Sequence, residues 1–281
     1  MDSCSVCGST ISAAADRCST CGTDAGAPNV RAVQGPAEIS ALENRFEDAL
    51  ARADAHGARQ ETDHFRRALE RSSAVVNCEL PFLRDFVTRS TPLYANYHRG
   101  VQAGVRKAAE GERDRDRAIV DAIMFASYAD EIRMAALSIT DTGLASYGPY
   151  SMKLRDVAVA KRSSLLEENS FSFIRHHNLG FQVPIPLGYR STWGGRAKLA
   201  LAKLADFIAV GMNEADFQSL LLLDTGNRAT DNFIEVHIFG TFGEAIDTVS
   251  GPKLKKRSRD IAIWEVVKEN LKALKRKCHE L

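Results

Sequence analysis

The sequence predicts an α+β fold: a small cysteine-rich module at the N-terminus, a helical middle region, and a mixed α+β C-terminal domain with a terminal amphipathic helix. Three observations lead there. Two Cys-x-x-Cys pairs crowd into residues 4–21. From Ile39 onward apolar residues recur at three- and four-residue spacing, the period of a helix with one buried face. From about Ser138, glycines and prolines cut the chain into shorter segments of β character. The expected divisions are 1–23, 24–37, 38–137 and 138–281.

The first module is Cys4-Ser5-Val6-Cys7-Gly8, ten residues from Gly8 to Arg17, then Cys18-Ser19-Thr20-Cys21-Gly22. Two-residue spacing lets both sulfurs of a turn face one ion, and the following glycine eases the backbone back under it. Four thiolates make the closed tetrahedral set that zinc takes in structural sites, with no position left for water or substrate. A minimal zinc ribbon is therefore expected, the zinc being structural. Two disulfides or a redox pair are the competing reading, but a redox Cys-x-x-Cys usually stands alone beside a βαβ unit.

Gly22 to Ala37, with Gly26, Pro28, Gly35 and Pro36, reads as a flexible linker. On that basis Cys4→Ser should unfold residues 1–22 and leave 38–281 folded. Ile39, Leu42, Phe46, Leu50 and Ala53 then mark an amphipathic helix that His56-Gly57 interrupts. Phe65, Ala68 and Leu69 resume it, and Phe82, Leu83, Phe86, Val87, Leu93, Tyr94 and Tyr97 extend the helical packing. A charged stretch, Glu110 to Arg117, leads into a strongly helical Ala118 to Leu137. Self-association through this helical region is an expectation. Beyond it, strands are expected at Ser151–Leu154, Ser170–Ile174, Ser219–Leu223 and Asn232–Phe239, a helix at Arg196–Val210, and a closing helix from about Ser258.

Composition narrows the function classes. With 44% hydrophobic and 26% charged residues over 281 positions, the chain has the make-up of an ordinary soluble globular protein. No apolar run reaches the roughly 20 residues that span a bilayer, so no membrane association is expected. The N-terminal Met-Asp-Ser-Cys-Ser-Val-Cys lacks the basic and apolar parts of a signal peptide. Isolated Cys78 and Cys278 argue against a disulfide scaffold. A cytoplasmic location is expected. Net charge is +1, yet Lys253 to Lys277 holds ten Lys/Arg against three Asp/Glu.

In Phe233-Ile234-Glu235-Val236-His237-Ile238-Phe239, alternation puts Ile234, Val236 and Ile238 on one face and Glu235 and His237 on the other. A carboxylate beside an imidazole, bracketed by Phe233 and Phe239, suits acid–base or electrostatic chemistry in a cleft. A solvent-facing strand with tolerated polar residues is equally compatible with the pattern. Arg162-Ser163-Ser164 has donors that can hold a phosphate-bearing ligand, or it is a surface turn with capping serines. Arg175-His176-His177 lacks an acidic or cysteine partner at metal-ligand spacing and reads as a surface or ligand-facing run.

These segments carry a resemblance. Tyr147-Gly148-x-Tyr150-Ser151-Met152-Lys153-Leu154, Arg162-Ser163-Ser164, Glu168-Asn169-Ser170 and Asn232 to Gly240 together resemble the ADP-ribosyltransferase-like domains of bacterial polymorphic toxins and phage head-associated proteins. The likeness spans about residues 138–250. It implies an NAD-binding fold that cleaves the nicotinamide–ribose bond, with NAD as substrate and an oxocarbenium-like transition state. Glu235 would stabilise the developing cation, with His237 beside it. Arg162 would contact the diphosphate, and Ser163 or Ser164 would orient the ribose. The family's strand usually carries a further glutamate two positions after its Glu or Gln. Here that later position is His237, which leaves either Glu235 as the catalytic group or a domain that binds without transfer.

The C-terminal cations, Lys253, Lys255, Lys256, Arg257, Lys272, Lys275, Arg276 and Lys277, partly serve the negative end of their helix. They also offer a surface for nucleic-acid phosphates or an acidic protein. Zinc ribbon and basic helix are thus the expected contacts for a protein or nucleic-acid partner.

Overall fold

The structure, a computed structural model, describes residues 2–4, 6–89, 97–102, 112–181, 183–228, 230–242, 245–255 and 258–281. Leu93 and Tyr94 of the expected helical packing, and Lys256 and Arg257 of the basic cluster, lie outside the described residues. The chain opens with strands β1 (Asp2–Ser3) and β2 (Thr10–Ile11), then helices α1 (Pro28–Arg31), α2 (Pro36–Ala55) and α3 (Arg59–Glu70). Next come β3 (Ser73–Cys78), α4 (Leu80–Thr88), α5 (Tyr97–Gln102), α6 (Glu112–Phe125) and β4 (Ile132–Ser138). β5 (Tyr150–Leu154), α7 (Asp156–Val159), β6 (Ser163–Leu166), α8 (Ser170–His176), β7 (Arg190–Thr192) and α9 (Arg196–Leu204) follow. The last part holds α10 (Glu214–Leu221), β8 (Leu222–Leu223), β9 (Asn232–Phe233), β10 (Glu235–Phe239), β11 (Ile246–Gly251), α11 (Ile261–Ala273) and β12 (Lys277–Glu280). The fold is α+β.

Among the described residues, eight strands make one sheet in the order β12-β11-β5-β3-β4-β10-β6-β7. All neighbours are antiparallel except β11 and β12. One face packs on the main core, where Val76, Leu137, Met152, Ile234, Val236 and Ile238 meet apolar side chains of α2, α3, α4, α9 and α11. The other face near β10 is covered by α6 and α8 through Val120, Met124, Phe125 and Phe173. No helix among the described residues is long and apolar enough to cross a membrane.

Several elements differ from the sequence reading. β3 and β4 lie inside the stretch expected to be helical, and both are interior strands of the sheet. Both are buried almost throughout, so Ala74-Val75-Val76 and Met134-Ala135-Ala136-Leu137 show short apolar runs without alternation, which periodicity does not separate from helix. Ser170–Ile174 is helix, because the Asn169 side chain accepts from Phe171 N at 2.9 Å and caps it. Ser219–Leu221 closes α10, which a reciprocal Asn213–Asp216 capping box starts. α9 stops at Leu204 and gives way to a 3-10 turn, Ala205–Phe207, short of the expected Val210. The chain also continues past α11. Lys275 adopts φ 56°, Arg276 N bonds Leu271 O at 2.8 Å and Lys275 N bonds Lys272 O at 3.0 Å, a Schellman stop without glycine. The residues after it form edge strand β12.

The segment read as a flexible linker contains α1, with Asn29, Val30 and Val33 buried. Its prolines are helix starts, since Pro28 and Pro36 open α1 and α2 at the position where a missing N–H costs nothing.

Candidate functional site

Cys4, Cys7, Cys18 and Cys21 converge, their sulfurs all within 4.8 Å of one another. Cys4 Sγ to Cys21 Sγ and Cys7 Sγ to Cys18 Sγ are both 3.6 Å. That is far beyond a disulfide bond of about 2.05 Å and close to the edge of a tetrahedron built on Zn–S bonds of about 2.3 Å. Gly8 and Gly22 take φ 72° and 70°, and their N–H groups bond Cys4 O and Cys18 O at 2.9 and 2.8 Å. The backbone thus returns under each knuckle as the Cys-x-x-Cys-Gly spacing requires. The Ser9 hydroxyl and N–H draw the Cys7 thiol down to about 6, and Thr23 lowers Cys21 in the same way. The donor set fits zinc. With all four positions thiolates, it has a structural role to offer and no open coordination position for chemistry.

The second site forms on β10. Glu235 lies opposite Ala136 of β4 and Leu166 of β6, and His237 opposite Met134 and Ser164. Both side chains leave the main core and turn under α6 and α8, where Glu235 is 3% and His237 2% exposed. Of the two readings of this strand face, the solvent-facing one does not hold. Ser170 N, the first helical amide of α8, donates to Glu235 Oε2 at 2.7 Å, and His237 Nε2 stands 3.4 Å from the same oxygen. Arg117 of α6 brings Nη1 to 4.0 Å from Glu235 Oε1 and forms an ion pair with Asp121 one turn later. His98 Nε2 of α5 reaches Asp121 Oδ2 at 2.9 Å. Phe125 meets the His237 ring edge-on at 4.8 Å, and the Phe171 ring lies 5.3 Å from the Arg117 guanidinium.

Burial opposes the charge on Glu235, but His237, Arg117 and the Ser170 N–H outweigh it and hold the carboxyl below its ordinary range. Asp121 is held low in the same way, burial being outweighed by Arg117 and His98. The site therefore keeps two ionised carboxylates in a place that water hardly reaches. Around it, Asn169 Nδ2 donates to Tyr147 Oη at 3.0 Å, and the Tyr147 ring packs edge-to-face on Phe233 at 6.0 Å. Burial and the Glu235 and Asp231 charges raise the Tyr147 phenol, so it stays neutral. Gly148 makes this placement of Tyr147 achievable. It has φ 136°, and a Cβ there would lie 2.3 Å from the Cys78 carbonyl group.

The other sequence candidates are not all brought here. Ser164 shares the His237 side of the sheet. Ser163 pairs with Ile238 and turns to the opposite face, donating to Val159 O at 2.7 Å. Arg162 donates to Ala158 O at 2.8 Å from Nε, and to Phe239 O and Thr241 O at 2.8 and 2.6 Å from Nη1. These bonds tie down the loop after β10 and do not join Arg162 to Glu235. His176 pairs with Glu168 near the surface, and His177 packs against Phe173 and Tyr189. Among the described residues, the four cysteines are the one group placed to share a metal ion.

Arg117, Asp121 and His98 were not singled out by the sequence. Asp121 did carry a signal, as the lone acid between Ala118-Ile119-Val120 and Ala122-Ile123-Met124-Phe125, four residues after Arg117. No protein-family model matches this chain, and no curated protein matches it significantly.

Proposed function

We propose that the protein is a zinc-ribbon ADP-ribosyltransferase-like enzyme that moves ADP-ribose from NAD to a macromolecule, with Glu235 as the catalytic carboxylate. The observation that carries this reading is convergence at one carboxylate. Tyr147, Asn169–Ser170 and Glu235–His237 come from three separate segments and meet through Asn169 Nδ2–Tyr147 Oη, Ser170 N–Glu235 Oε2 and His237 Nε2–Glu235 Oε2. In the reaction the C1′–N bond of NAD breaks and nicotinamide leaves with the bonding pair. Glu235 stabilises the oxocarbenium charge, a nucleophile of the acceptor bonds to C1′, and His237 takes the proton that the nucleophile loses. Substrate entry in this reading displaces the Arg117 guanidinium from Glu235. The ribbon and the exposed cations Lys253, Lys255, Arg259, Lys272, Lys275 and Lys277 recruit the acceptor. Incubating the zinc-loaded protein with adenine-labelled NAD and candidate acceptors tests the proposal. Labelled product is expected from wild type and about 100-fold less from Glu235→Gln, and no label from a folded wild type contradicts it.

A second reading rests on the 3% exposure of Glu235. In it the charged network is a structural element, and the protein is a non-enzymatic scaffold whose ribbon and basic helix contact a nucleic acid or a protein. Retention on nucleic acid that weakens steeply with salt, with no NAD turnover, favours this second reading.

A further inference from the structure

The four-residue helix α1 faces two ways. Toward the ribbon, Arg31 Nη1 donates to Ala15 O at 2.8 Å and Gly26 O at 2.5 Å, and Nη2 to Ser12 O at 3.3 Å. Ser12 and Ala15 belong to the segment between the two cysteine knuckles, which Cys7 and Cys18 bound at its two ends. Toward the sheet, Asn29 is 2% exposed and its Nδ2 reaches His237 O at 2.8 Å, Ser164 Oγ at 3.1 Å and Arg162 O at 3.2 Å. Two of these three neighbours are carbonyl oxygens, which only accept, so the amide must present its nitrogen here. Its Oδ1 is buried with no hydrogen-bond partner among the described residues, a cost that the bonds of its donor nitrogen offset.

From this arrangement we propose that Asn29 is a positioning residue for His237, and that α1 couples the metal state of the cysteine cluster to the pairing of β6 with β10. With the four thiolates drawn together, the ribbon holds Arg31, Arg31 fixes the orientation of α1, and α1 seats Asn29 against the His237 carbonyl. When the sulfurs separate, the Ser12 and Ala15 carbonyls lose their fixed place and the Asn29 bonds loosen. The ribbon is then an integral brace of the Glu235–His237 site, not an appendage on a spacer. The inference is independent of whether that site transfers ADP-ribose.

Hydrogen exchange on the full-length zinc-loaded chain tests it. Removing zinc from wild type with EDTA should speed exchange in residues 163–166 and 235–239 about tenfold, as expected for opening on loss of a buried hydrogen-bond donor. Arg31→Ala should keep zinc yet show the fast exchange at 163–166 and 235–239 before EDTA is added, with no further rise after it. Asn29→Ala should show the fast exchange before EDTA is added and no further rise after it. The His237 imidazole resonances should shift both on zinc removal and in Asn29→Ala, while those of remote His56 stay put. If Asn29→Ala does not fold, the wild-type and Arg31→Ala arms decide. An EDTA response confined to residues 1–26, or unshifted His237 resonances on zinc removal, overturns the proposal.

Discussion

Arg117→Ala removes the guanidinium that pairs with both Asp121 and Glu235, and its cost follows from the geometry. At 4.0 Å an effective dielectric near 20 gives an attraction of about 4 kcal/mol between Arg117 and Glu235, before desolvation is subtracted. Truncating one partner of a buried pair typically costs about 3–5 kcal/mol, because the remaining charge is left without compensation. The Arg117 side chain is 19% exposed while those of Asp121 and Glu235 are 5% and 4% exposed. Water can therefore soften the loss somewhat, and about 3 kcal/mol is expected at pH 7. The sign with pH is fixed too. Glu235 and Asp121 have folded pKa values below their ordinary ones. Their stabilisation is therefore present above the unfolded value near 4 and is lost as pH falls through the folded values. Without Arg117 both carboxyls bind protons more readily in the folded state, so the deficit of the variant should narrow as pH drops. Urea unfolding of both proteins from pH 7 to pH 4 measures this. Combining Arg117→Met with Asp121→Asn, which removes charge of both signs, should recover more than half of the loss. A single variant within about 0.5 kcal/mol of wild type at pH 7, or a deficit that ignores pH, would refute the network as described.

Other outcomes follow from the same geometry. Glu235→Gln should flatten the acid limb of the stability profile below about pH 5, since a group with a lowered folded pKa no longer titrates there; an unchanged slope would show that Glu235 is not held ionised. Gly148→Ala sets a Cβ 2.3 Å from the Cys78 backbone at φ 136°. It should cost at least about 3 kcal/mol or prevent folding, and a variant with native thermal stability would contradict that close approach. Elemental analysis should find one zinc ion per chain, and Cys18→Ser should remove it. Retention of stoichiometric zinc by that variant would mean that the thiolate set is drawn wrongly.

How much of this was legible in the sequence depends on where the signal lay. The cysteine knuckles were plain because metal ligation fixes both residue type and spacing over a few positions. The two faces of β10 were legible too, since strict alternation at Ile234, Val236 and Ile238 leaves Glu235 and His237 on the far side. What covers that far side was not. α6 and α8 arrive from residues more than fifty positions away, and nothing local to β10 distinguishes a helix-covered face from a wet one. β3 and β4 do not read as strands because their apolar residues, Ala74-Val75-Val76 and Met134-Ala135-Ala136-Leu137, run consecutively and do not alternate. Asn29 shows the opposite failure, for a short polar residue among glycines and prolines reads as a loop. Its three long-range bonds are visible only once β6 and β10 are paired beside it.

For the proposed transfer of ADP-ribose by way of the Glu235 carboxylate, nicotinamide release is the readout closest to the bond that breaks. Purified zinc-loaded wild type and Glu235→Gln, both shown to be folded, are incubated with NAD at pH 7 and free nicotinamide is followed by chromatography. Steady release by wild type and release about 100-fold slower in the variant are expected. Equal rates from the two proteins, or no release from either, would contradict it.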